Sequence, residues 1–170
     1  ENQMQLMTNP PCGGILYLRE AIATYLKEFR GMTVLPEQII IGAGTEYLYG
    51  LLIQLFGKDK IYAVENPGYR KIPQIYKSHQ VQCEYINMDD DGVNVSELEE
   101  KKADILHITP SHHYPTGIVM PISRRYELLS WASKGENRYI IEDDYDSELR
   151  LSGQPIPTLQ SIDVSDKVIY

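Results

Sequence analysis

Cysteine, tryptophan and phenylalanine are scarce in this 170-residue chain, with two, one and two residues respectively. Cys12 and Cys83 lie far apart and form no Cys-x-x-Cys pair. A disulfide framework or a zinc site is thereby excluded as the organising principle, and a reducing cytosol fits. No apolar run approaches the ~20 residues of a membrane span. No basic-then-apolar leader opens the chain, so neither membrane partner nor export is expected. Positive charge is also short: sixteen Lys and Arg stand against twenty-four Asp and Glu, a net charge of −8. Such a surface does not release counterions from a phosphate backbone, so direct nucleic-acid binding by these residues is not expected.

What is present is a globular composition, 42% hydrophobic and 24% charged. A chain of this size buries about two thirds of its unfolded surface, enough for a real core. Tyrosine dominates the aromatics, thirteen against two Phe and one Trp. Its flat apolar face and polar tip suit a half-buried pocket wall, with compositional drift as the plain alternative.

Helical and strand periods alternate along the chain. Ile15, Leu18, Ile22, Tyr25 and Phe29 recur at helical spacing after Gly13-Gly14. Ile39-Ile40-Ile41 reads as a short buried strand, and Leu48, Leu51, Leu52, Leu55 and Phe56 mark a helix that stops at Gly57. Strands follow at Ile61–Val64, Val81–Ile86, Ile105–Ile108, Tyr139–Ile141 and Val168–Tyr170. Ser96 is read as the cap of a short charged helix, and a further helix runs from Pro121 to Gly135. This alternation predicts an α/β fold, a mostly parallel sheet with helices on both faces.

Four segments carry chemistry. Gly42-Ala43-Gly44-Thr45 joins a strand to a helix, where free N–H groups and the helix dipole favour an anion. A tight turn with an N-cap explains it as well. Gly42-x-Gly44 with Glu65 at the next strand end also mimics a dinucleotide fingerprint, but Tyr47 occupies the place of its third glycine. Glu65-Asn66-Pro67-Gly68-Tyr69 ends a strand at the edge where open α/β sheets bind ligands, placing Tyr69 to stack on a planar ring or merely in a surface turn. Thr109 to Gly117 (TPSHHYPTG) is an irregular loop at the same edge, in which Tyr114–Pro115 is a candidate cis bond. Its neighbouring His112 and His113 point apart and are not expected to chelate a metal. Glu142-Asp143-Asp144-Tyr145-Asp146-Ser147-Glu148 follows a buried strand, where a carboxylate needs a cationic partner from protein or ligand.

In this order, at successive strand ends, the four segments resemble the large domain of fold-type-I enzymes that use pyridoxal 5′-phosphate, the aspartate aminotransferase superfamily. Ser-His-x-Tyr-Pro-Thr-Gly and Glu-Asp-Asp-Tyr-Asp-Ser-Glu are similar to the aminotransferase-like domain of MocR-type (GntR-family) transcription regulators. Gly14 to Ala23 (GILYLREAIA) matches the entry helix of that family. The resemblance implies that residues 1–170 are a single partial domain, the N-terminal part of the cofactor-binding large domain. It implies that Gly44 and Thr45 hold the cofactor phosphate, Tyr69 stacks on the pyridine ring and Asp143 pairs with its nitrogen. Tyr114 and Tyr145 are implied near the phenolic oxygen. Tyr114 stands where ordinary aminotransferases have asparagine, a departure that favours the regulator branch. The Schiff-base lysine, the small domain and a DNA-binding winged helix are expected outside residues 1–170, so no catalytic residue is assigned within them. A homodimer in the cytoplasm, with a small amino compound as effector or substrate, follows from the same resemblance. A fragment of a true aminotransferase and a nicotinamide-dependent oxidoreductase built on Gly42, Gly44 and Glu65 are the alternatives.

Overall fold

The computed structural model describes residues 9–147 and 156–170. The chain forms two compact units, 1–48 and 49–170. In the first, helix α1 (Leu16–Tyr25) follows the predicted helical spacing and continues into one wider helical turn at Leu26–Arg30. The Arg19 guanidinium donates to the Pro36 carbonyl at 2.9 Å, holding α1 to the single turn at Pro36–Gln38. Ile39-Ile40-Ile41 is not a strand. Ile39 is extended, but Ile40 is 59% exposed, and among the described residues the segment's one backbone bond outside its own turn is Ile41 N–H to the Gly13 carbonyl at 3.0 Å. β-Branched residues favour extended backbone, yet a strand also requires a partner ladder, and the described residues provide none. Helix α2 (Thr45–Phe56) begins in this unit and ends one residue before Gly57, as its spacing predicts.

The second unit is built on a six-stranded sheet. Its elements are β1 (Ile61–Asn66), α3 (Lys71–Ser78), β2 (Gln82–Asp89), β3 (Gly92–Val93), α4 (Val95–Glu100), β4 (Ile105–Ile108), α5 (Ile122–Ser133), β5 (Tyr139–Glu142), α6 (Leu159–Ile162) and β6 (Val168–Ile169). The strand order is β3-β2-β1-β4-β5-β6. All pairings are parallel except the β2–β3 hairpin over Asp90–Asp91. Alternating side chains serve two cores. Ala63, Leu106, Ile108 and Ile140 join Leu98, Leu128, Trp131 and Leu159 of α4, α5 and α6. Tyr62, Val64, Ile105 and Ile141 join Tyr49 and Ile53 of α2 and Ile72, Ile75 and Tyr76 of α3. Both faces are therefore covered, which is why the strands read as apolar runs. Among the described residues no helix is long and apolar enough to cross a membrane.

Two local features differ from the sequence reading. Asn94, not Ser96, caps α4: its side-chain oxygen accepts from the Ser96 N–H at 3.0 Å and from the Ser96 hydroxyl at 2.7 Å. Asparagine just before the first turn places its oxygen on the free N–H groups, whereas Ser96 is already inside the helix. Helix α3 was not anticipated, because Pro73 interrupts its pattern; proline is tolerated there since first-turn N–H groups need no intrahelical acceptor.

The fully buried Arg125 of α5 ties the loops together. It donates to the carbonyls of Met120 at 3.1 Å, Pro110 at 3.0 Å and Pro157 at 3.0 Å, and lies 3.5 Å from the Glu142 carboxylate. Glu142 in turn accepts the Leu159 and Gln160 N–H groups, each at 3.0 Å, at the start of α6. Breaking such a pair leaves a buried charge uncompensated. Arg125→Ala in the full-length protein is expected to lower unfolding stability by about 3–5 kcal/mol. Chemical denaturation checks this, and Arg125→Ala/Glu142→Ala should cost less than the sum of the single changes.

Candidate functional site

From β1 the chain moves through α3 to β2 on one side; from β4 it moves through α5 to β5 on the other. Strand order thus reverses between β1 and β4, and ligands of open α/β sheets enter the crevice at the carboxyl ends of such a pair. Val64, His107 and Ile141 are in register across β1, β4 and β5. The residues just beyond them therefore emerge at one edge, and the Asp143 N–H continues the ladder to the Ile108 carbonyl at 2.9 Å.

Asp143 is the electrostatic centre of that edge. Its Oδ2 accepts from the Tyr49 hydroxyl at 2.6 Å and has His107 Nε2 at 3.7 Å. Behind it, the Tyr76 hydroxyl lies 2.8 Å from His107 Nδ1, and the Tyr49 and His107 rings meet edge-on with centroids 4.6 Å apart. Burial pushes the Asp143 carboxyl up, but the nearby His107 ring and the Tyr49 hydrogen bond outweigh it and hold the group below its ordinary value. It is ionised at neutral pH. The Tyr49 phenol is raised by burial and by the Asp143 charge, so it stays protonated as a donor. Asp144 has a different partner: its Oδ2 accepts from the Tyr170 hydroxyl at 2.7 Å.

Around this carboxylate the structure gathers tyrosines. Tyr69, half exposed, and Tyr114 form an edge-to-face corner with centroids 6.1 Å apart and planes at 87°. Tyr145 donates to the His112 carbonyl at 2.5 Å. Its phenol is raised by burial and, among other charges, by Asp146 and Asp143. Tyr114–Pro115 is cis, as is Asn66–Pro67. Of the residues the sequence singled out, Tyr69, Tyr114, Asp143 and Tyr145 thus lie on the loops of one sheet edge. Gly44 and Thr45 belong to the other unit, where Thr45 opens α2 and Gly44 holds a φ of +94° that a side chain would resist. The acidic run's cationic partner is Arg125, which meets Glu142. Glu148 lies outside the described residues.

Glu65 is placed otherwise than a ribose-binding acid requires. It is buried, with Oε2 accepting the Thr109 N–H at 3.1 Å and the Thr109 hydroxyl at 2.7 Å. Sequence reasoning also passed over Tyr49, Tyr76 and His107. A single imidazole in the run Ile105-Leu106-His107-Ile108 was a usable signal, because a polar ring in a buried strand needs a partner. Nothing local marks Tyr49 or Tyr76, which sit at core positions of their helices. Among the described residues no cluster of three or more His, Cys, Asp or Glu is arranged to hold a metal ion.

Comparison with known proteins places this geometry. No family model matches the chain. It is 40% identical to the HTH-type transcriptional regulator YdeL of Bacillus subtilis, over 92% of this chain and 34% of YdeL. It is 38% identical to the HTH-type pyridoxine biosynthesis transcriptional regulator PdxR of Corynebacterium glutamicum, over 91% of this chain and 34% of that protein. Identity to aromatic-amino-acid aminotransferase 1 of Thermococcus litoralis is 31%, over 92% of this chain and 40% of the enzyme. Among solved structures, kynurenine aminotransferase of Pyrococcus horikoshii superposes with a TM-score of 0.85 at 29% identity, over 96% of this chain and 43% of that one. The fold is therefore part of the aminotransferase large domain, and the chain is a homologue of the aminotransferase-like segment of MocR-type, GntR-family regulators. It spans about a third of the length of the curated regulators it matches.

A depressed carboxyl contributes stability above its unfolded value, and that stability is lost as pH falls through the folded value. Tyr49→Phe removes the hydroxyl donor that helps to depress Asp143. The variant should be less stable at pH 7 by ~1.5–3 kcal/mol, the usual worth of a hydrogen bond to a charged group. That deficit should shrink as pH falls from about 4, the unfolded aspartate value, toward the lower folded value of the parent, below which Asp143 is protonated in both proteins. Parallel melting curves at pH 7 and pH 3.5 check the sign.

Proposed function

We propose that this chain is the N-terminal part of a pyridoxal 5′-phosphate-binding domain in a MocR-type regulator, and that the cofactor with a small amino compound acts there as the effector. The observation that carries the reading is Asp143: an ionised, largely buried carboxylate at the switch-point edge, given hydroxyl and imidazole neighbours but, among the described residues, no protein cation. The donor set fits the cofactor. A protonated ring nitrogen is the cation such an anion lacks, and the Tyr69–Tyr114 corner offers aromatic surface for the ring. Pyridoxal phosphate, when bound, supplies an electron-withdrawing ring for an attached amino compound. Asp143 keeps the proton on the ring nitrogen, Tyr49 and His107 keep Asp143 ionised, and Tyr69 stacks on the ring. Tyr114 and Tyr145 serve the phenolic oxygen, and Gly44 and Thr45 the phosphate. The regulator is a cytoplasmic homodimer and meets DNA through a separate winged-helix domain.

The second reading, part of an amino-acid aminotransferase, is favoured by the 31% identity to the Thermococcus litoralis enzyme and by the fold. Higher identity to the regulators, at 40% and 38%, supports the first. Specific operator binding that responds to pyridoxal phosphate, with no steady transamination of amino acids, would decide for the regulator. The nicotinamide reading loses its acid, since Glu65 is bound to Thr109.

Asp143→Ala in the full-length protein should weaken cofactor binding by tenfold or more, since charge-assisted pairing contributes roughly 1.5–3 kcal/mol. Asp144→Ala, which removes the acceptor of the Tyr170 hydroxyl, should change it far less. Equal losses in a spectroscopic titration would refute the assigned register. Tyr69→Phe should keep most of the affinity, and Tyr69→Ala should lose about 1 kcal/mol or more by the same titration.

A further inference from the structure

Two buried groups at the switch point take no part in holding Asp143. Glu65 is 7% exposed and His113 is 2% exposed, with His113 Nε2 lying 3.4 Å from Glu65 Oε2. Each retains a side-chain atom with no hydrogen-bond partner, Glu65 Oε1 and His113 Nε2. Glu65 is the penultimate residue of β1 and takes both Thr109 donors from the loop after β4. His113 has Thr116 Oγ1 of the Pro-Thr-Gly motif at 2.7 Å from Nδ1. The turn that follows Glu65 is folded back on it so closely that a Cβ at Gly68 would lie 2.5 Å from the Glu65 carbonyl oxygen. Tyr69 follows that turn and Tyr114 follows His113.

We propose that Glu65 and His113 are a positioning pair, buried between the two loops, that sets the corner of Tyr69 and Tyr114 against which a planar ring is held. The identity of that ring rests on the pyridoxal-phosphate reading; the link between the loops does not. Burial pushes the Glu65 carboxyl up to about 8; the Thr109 bonds oppose this and the Asp143 charge adds to it. Burial lowers His113, with the Pro67 carbonyl acting the other way. Both groups are therefore neutral at pH 7, so the pair stays out of water without a cation. Among the described residues, the charged and titratable groups that meet Glu65 are His113 after β4 and Asp143 and Tyr145 after β5, while Arg70, Lys77 and Tyr85 line the cavity on the α3 and β2 side of it. Ionised Glu65 would set a second anion beside Asp143. Because its value is raised in the closed arrangement, closure is favoured at low pH, weakens as pH rises toward about 8 and then levels.

The test uses the full-length protein, with glutamine as the neutral, near-isosteric replacement. In the protein without cofactor, Glu65→Ala should speed amide hydrogen exchange across residues 109–117 at least tenfold, while Glu65→Gln leaves it within about threefold of the parent. Titration with pyridoxal phosphate should show Glu65→Ala weakened tenfold or more at pH 6.5 and Glu65→Gln near the parent. The ratio of parent to Gln affinity should fall between pH 6.5 and 8. In a Tyr69→Ala background the loss from Glu65→Ala should largely vanish, which general destabilisation would not produce. Unchanged exchange in Glu65→Ala, or losses that add fully with Tyr69→Ala, would overturn the proposal. A parent protein that exchanges as expected but binds no pyridoxal phosphate would overturn the cofactor reading and leave the pair standing.

Discussion

Three carboxyl groups, those of Glu65, Glu142 and Asp143, are drawn out of water at the carboxyl ends of β1 and β5, and the surrounding loops are arranged by how each is compensated. An isolated buried carboxylate is costly enough that it is either neutralised or paired. Glu142 is paired with Arg125 and two backbone N–H groups. Glu65 sits in a setting that favours its protonated form, against Thr109 and His113. Asp143 is kept ionised beside the Tyr49 hydroxyl and the His107 imidazole, with no protein cation against it among the described residues. The edge therefore offers a ligand one anion and not three.

This division separates support from recognition. Arg125 and Glu142 lie in the layer under α5 and α6, where they join the loop after β4 to the chain that enters α6. Tyr49, Tyr76 and His107 lie in the opposite layer, among the side chains of α2 and α3. One face of the sheet thus holds the loops in place, and the other tunes the charge they surround. An α/β sheet with both faces covered permits this, because consecutive strand residues reach opposite layers: His107 faces one and Ile108 the other.

Much of this was legible in the sequence because it is local. The β-branched runs at Ile61, Ile105 and Tyr139 became strands, and the Asn-Pro-Gly-Tyr, Tyr-Pro-Thr-Gly and Glu-Asp-Asp-Tyr segments fell at one edge, as successive strand ends in a parallel sheet must. The misses have physical reasons. Ile39–Ile41 has strand composition without a ladder to join among the described residues. Pro73 disguised α3, since the rule against proline inside helices does not reach the first turn. The donor to Asp143 stands 94 residues away in sequence, on a helix where Tyr49 occupies an ordinary apolar position. A compensating group of that kind becomes visible only when topology brings its element alongside.

Tyr76 sits wholly within the core, yet its hydroxyl ends a chain that runs through His107 to Asp143 and is met there by Tyr49. The packing layer and the charge at the edge are consequently one inherited unit. A homologue that replaces His107 by an apolar residue leaves the Tyr76 hydroxyl stranded among hydrocarbon and Asp143 without the imidazole beside it. The economical escape is phenylalanine at the first position and a new donor near the second. Across a lineage, positions 49, 76 and 107 should therefore drift together, and a substitution at any of them that looks like routine core variation would alter how tightly the edge holds a proton.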